Sequence, residues 1–174
     1  MNLMTTMTQL WTTSSESSSN RTSITSTDSI EDSSPFFEEI LHEIRDEKLL
    51  FEDYHTLTKL DSEKVAKINQ LKTKEEATIL SIFISKTESS EEKTTLYRQL
   101  CGKLIATSLY GSLEEAEVCF KYVKAYAQSK EEKELAKTAL WAAAKNLEAT
   151  NPDLSKALEK QCFKYGQEIK NANH

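Results

Sequence analysis

The chain has 174 residues, with 28 acidic side chains against 22 basic ones, a formal net charge of −6, and only three glycines and two prolines. So few turn formers exclude most turn-rich sheet folds and every glycine-rich phosphate loop. The basic residues are scattered among acidic ones, which leaves no cationic stripe for a nucleic-acid backbone and argues against that partner.

Residues 1–34 hold 18 serines or threonines. Their early apolar residues, Met1, Leu3, Met4, Met7, Leu10 and Trp11, bury too little area to offset the entropy of ordering a chain. A disordered tail is therefore expected over 1–34, followed by one helical domain over 35–174. The start shows neither a charged n-region with an apolar h-region nor the arginines of a mitochondrial presequence. No stretch nears the ~20 apolar residues of a spanning helix, so a chain without a membrane span, working in the cytoplasm, is expected. In composition the tail resembles the export signals of substrates of bacterial type III secretion, which implies export by a non-Sec route as the alternative. Asn20-Arg21-Thr22 matches a glycosylation acceptor, and Thr25 and Ser29 each precede an acid by three residues; both patterns read as chance in so hydroxyl-rich a segment.

The first helix is expected to open at Ser34 and Pro35, with Glu38 and Glu39 in its first turn and Phe37, Ile40, Leu41 and Ile44 on one stripe, and to run at least to Glu47. A second segment over Glu52–Leu60 offers Tyr54 and Leu57. Asp61 or Ser62 then caps a helix bearing Val65, Ile68 and Leu71. Thr73 with Glu76 has capping-box spacing, and Ala77 to Ile84 is apolar nearly all round, which suits a helix at the centre of a bundle. Ser90 opens the next helix, with Gly111 expected to end it in a left-handed conformation and Gly102 expected to mark a close helix contact.

Ser112 with Glu115 and Ser129 with Glu132 repeat the capping box, opening helices of roughly 17 and 20 residues, and Asn151-Pro152 opens the last. Gly111, Leu113, Ala116 and Phe120 fall at the spacings around the inter-helix turn of a tetratricopeptide repeat, and this stretch resembles one such hairpin. The pattern does not recur one repeat later, so it reads as helical-hairpin packing rather than family membership. The fold expected is all-α: an antiparallel helical bundle of about five to seven helices behind the tail.

Cys101, Cys119 and Cys162 are odd in number and far apart, which suits reduced thiols in a cytosolic compartment. The chemical candidate is a pair of Glu-x-x-His patterns, Glu39 with His42 and Glu52 with His55. That spacing puts a carboxylate and an imidazole on one helix face, as bundle di-metal sites require, though such a site draws on separate long helices. A metal-dependent helical enzyme is thus the alternative reading. The leading one is a non-enzymatic protein-interaction module without a cofactor, an adaptor, chaperone or secreted protein. Its candidate contact residues are Tyr122, Tyr126 and Trp141, which lie off the main apolar stripes.

Overall fold

In the computed structural model, which describes residues 33–173, the chain forms helices α1 (Phe37–Arg45), α2 (Phe51–Thr56), α3 (Ser62–Ile68), α4 (Thr73–Lys86), α5 (Ser90–Tyr110), α6 (Leu113–Tyr126), α7 (Lys130–Leu147) and α8 (Pro152–Ala172). Eight helices and no strand among the described residues make the fold all-α, with one helix more than the upper end of the expected range. Residues 37–68 hold three of them, all short. Most of the expected tail, with its acceptor pattern and phosphorylation candidates, lies outside the described residues.

Caps set most of the joints. The Ser112 hydroxyl accepts the Glu115 N–H at 3.1 Å while the Glu115 carboxylate accepts the Ser112 N–H at 3.0 Å. Ser129 and Glu132 repeat this arrangement, and Glu132 also accepts from Gln128. Asn151 accepts the Leu154 N–H at 3.0 Å ahead of a helix that starts with Pro152. Each such bond satisfies an amide that has no intrahelical partner, a contribution of about 1 kcal/mol.

Several boundaries differ from expectation. Ser34 does not cap α1: it is buried, its N–H donates to Glu75 at 2.8 Å and its hydroxyl to the Gln70 carbonyl at 2.9 Å, so it ties the chain entry to the start of α4. Helix α1 stops at Arg45 because Glu47 turns to a left-handed φ of 62°. At α4 the reciprocal acid is Glu75, which accepts the Lys72 N–H, one register before the expected Thr73–Glu76 pair. Ser89, not Ser90, caps α5. Helices α6 and α7 have 14 and 18 residues, shorter than expected. Gly111 is extended, with φ −94°; a side chain there would press on Thr107 and Glu115, so space rather than handedness calls for glycine.

The core gathers Ile79, Leu80 and Phe83 of α4, Leu96, Leu100 and Leu104 of α5, Phe120 and Val123 of α6, and Leu140, Leu154 and Leu158 of α7 and α8. Helices α7 and α8 meet along a row of small residues: Ser155 donates to the Ala144 carbonyl at 2.7 Å, Cys162 to that of Lys137, and Lys133 pairs with Glu168 at 3.1 Å. Partners nearer the end of α8 thus lie nearer the start of α7. Helix α5 packs beside α7 in a different sense. Its first turns face residues 128–132, whereas Ser108 near its end accepts from Asn146 near the end of α7, so the two point the same way. Helices α5 and α6 and helices α7 and α8 thus pack as neighbouring pairs, with α5 and α7 forming one shared face.

Candidate functional site

That shared face carries a groove of about 560 Å³. Its wall on α5 follows the helical repeat through Arg98, Gly102 and Ile105, its wall on α7 runs through Glu131, Glu134 and Thr138, and Cys101, Leu135 and Ala139 form its apolar floor. A polar hollow of about 660 Å³ shares Thr94, Arg98 and Glu131 with it and continues toward Ser90 and Gln128. Gly102 is exposed, and a β-carbon added there would meet nothing within 4 Å among the described residues. The expected close helix contact at this glycine is therefore absent, and its missing side chain deepens the groove instead.

Charge is unevenly placed around this floor. Arg98 on one rim and Glu131 and Glu134 on the other form no ion pair among the described residues. Elsewhere the neighbouring lysines are engaged, Lys133 with Glu168 and Lys145 with Glu148 and Glu159. Burial keeps the Cys101 thiol protonated, pushed up to about 12, so the floor holds an apolar thiol rather than a thiolate nucleophile. Cys119 is held the same way.

The three aromatic candidates separate. Tyr122 and Tyr126 are partly buried against the core with ring centroids 6.5 Å apart, and the Tyr122 hydroxyl lies 3.2 Å from that of Thr78 on α4. Trp141 stays 46 % exposed on α7, with the Lys145 ammonium 4.4 Å above its ring. It follows Glu134 and Thr138 at helical spacing, so it stands on the strip of α7 that borders the groove. On the facing helix, Leu109 follows Ile105 by one turn and is 53 % exposed.

The Glu-x-x-His residues point to separate contacts. Glu39 pairs with Lys67, His42 lies 3.1 Å from Asp46, Glu52 is 3.9 Å from Lys59, and the His55 ring stacks on Phe51. No group of three His, Cys, Asp or Glu side chains suited to a metal occurs among the described residues. No described helix is long and apolar enough to cross a membrane.

One charge is out of place. Glu117 on α6 is buried and its Oε2 has no hydrogen-bond partner among the described residues. Burial, with Glu114 adding to it, pushes this carboxyl up to about 7. Sequence reasoning passed over Glu117, as it did Arg98, Glu131 and Glu134, because a charged residue next to a helical stripe ordinarily reads as solvated surface. Gly102 was the one available signal for the groove: a glycine in mid-helix costs about 1 kcal/mol and calls for a reason.

No protein-family model matches the chain, and neither a curated protein nor a solved structure matches it. The functional reading rests on the groove itself.

Proposed function

We propose that the chain is a non-enzymatic protein-interaction module, an adaptor, chaperone or type III-like secreted protein, that holds a partner in the α5–α7 groove. Its frame is an antiparallel hairpin bundle, and it works in the cytoplasm or, if the tail serves as an address, after export by a non-Sec route. The observation that carries this reading is Gly102. An exposed glycine in the middle of a 21-residue helix weakens the helix, and no packing among the described residues makes use of it. Local rules broken without an internal return mark functional positions. Trp141 and Leu109, large apolar side chains left in water at the groove's margin, supply the kind of anchors that dominate interfaces.

The test is capture by the full chain from native extract, compared with Gly102→Leu, which fills the groove, and Trp141→Ala, which removes the marginal anchor. The reading expects one near-stoichiometric protein retained by the parent and lost by both variants while their melting temperatures stay within a few degrees. Retention of nothing by the parent, or retention unaffected by Gly102→Leu, overturns it.

A further inference from the structure

Resting on that reading, we infer that the groove's occupant is an amphipathic α-helix of a partner protein, with lysine or arginine flanking its apolar stripe on the side that lies over α7. The groove is bounded by two helix surfaces, which offer no strand edge. An extended peptide laid on the apolar floor of Cys101, Leu135 and Ala139 would leave backbone N–H and C=O groups without partners. A helix satisfies its own backbone and presents only side chains, the arrangement by which apolar stripes dock between helices. The walls match it in period: Arg98, Gly102 and Ile105 on one side and Glu131, Glu134 and Thr138 on the other recur at three- and four-residue steps. At Gly102 the missing side chain lets the incoming helix approach the α5 backbone.

Charge assigns the flank. Glu131 and Glu134 stand about one turn apart on the α7 rim, and both are free of ion pairs with described residues, as is Arg98 across the groove. A helix seated between them meets two carboxylates on one side and one guanidinium on the other. Basic residues one turn apart on its α7 side, with an acid opposite Arg98, complement that pattern. The chain's own first eleven residues carry apolar side chains at helical spacing, Leu3, Met7 and Leu10, but no charged side chain at all. They match the floor and not the rims.

The assignment is tested by titrating the full chain with three synthetic peptides, followed by calorimetry at low salt. One is an alanine-based helix of about 18 residues with a leucine stripe flanked by lysines, the second carries glutamates in place of those lysines, and the third has the sequence of residues 1–11. The lysine peptide is expected to bind about tenfold more tightly than either of the others, to lose this margin at high salt, and to lose binding altogether with Gly102→Leu. With Glu134→Lys the preference between the lysine and glutamate peptides should narrow or invert. Equal binding of the lysine and glutamate peptides, both abolished by Gly102→Leu, overturns the charged flank and leaves the groove standing. Tighter binding of the 1–11 peptide overturns the partner in favour of the chain's own start. Binding of no peptide, or binding indifferent to Gly102→Leu, overturns the groove as a helix-docking site.

Discussion

The phenol of Tyr97, on α5, donates to the backbone carbonyl of Val123, in the last turn of α6, at 2.6 Å and with no exposure to water. Tyr165 of α8 does the same for the neighbouring Lys124 carbonyl at 3.0 Å. The last carbonyls of a helix have no intrahelical donor. Here two other helices provide donors, and the end of α6 becomes the point where α5 and α8 are both tied to it. The depth of the site keeps both phenols protonated, Tyr165 being pushed up to about 12.

Replacing Tyr97 by phenylalanine leaves the Val123 carbonyl buried and unpaired at nearly unchanged volume. The expected loss is about 1–3 kcal/mol, read as a lower urea midpoint at constant slope. Tyr165→Phe should cost less, since its bond is longer and only partly buried. A Tyr97→Phe protein as stable as the parent would show that water or a shifted backbone satisfies that carbonyl.

Gly102 and Gly111 should respond oppositely to alanine. At Gly102 the added methyl meets none of the described residues and the helix gains propensity, so Gly102→Ala should raise stability by roughly 0.5–1 kcal/mol. At Gly111 the β-carbon would come within 3.0 Å of the Thr107 backbone, and Gly111→Ala should lower stability. Thermal unfolding of the two variants side by side checks both signs.

Glu117 should make the protein less stable as pH rises. Its carboxyl is pushed from 4.5 to about 7 by burial, so between those values the unfolded chain has released the proton and the folded one has not. Its contribution is complete below about pH 4.5 and is lost as pH climbs through 7, on the order of 1–3 kcal/mol in all. Glu117→Gln should flatten this part of the stability profile and unfold at higher denaturant than the parent at pH 8. Identical profiles would mean that Glu117 finds a counter-charge in solution.

The α7–α8 seam should tolerate no added bulk. Ala143 and Ala144 are fully buried and the Ser155 hydroxyl reaches the Ala144 carbonyl, which fixes how closely the helices lie. Ala144→Leu should cost about 1–3 kcal/mol or more, measured by chemical unfolding, because the helices must part or side chains must leave their rotamers.

Thiol chemistry offers a quick check of the packing. Cys162 is only partly covered, whereas Cys101 and Cys119 are buried and their thiols are pushed up to about 12. A thiol reagent at pH 8 should modify Cys162 in the native protein, and the other two only after unfolding. Rapid reaction of all three would contradict the packing of α5 against α6 and α7.

The amino-acid order by itself determined the helices from α4 onward. Capping residues such as Ser112, Ser129 and Asn151 act within one turn of chain, and apolar stripes repeat at the helical period, so both are legible locally. The same local signals were weaker before residue 72, where Ser34 looked like a cap and proved to be a buried tether, because its partners Gln70 and Glu75 are remote in sequence. Only the tertiary structure decided which faces meet. It placed α5 beside α7 in the same direction, left Gly102 exposed among the described residues instead of packed, sorted Trp141 to the surface and Tyr122 and Tyr126 against the core, and buried the Glu117 Oε2 with no hydrogen-bond partner among the described residues. Those outcomes depend on contacts between residues tens of positions apart, which no local pattern of caps or hydrophobic period encodes.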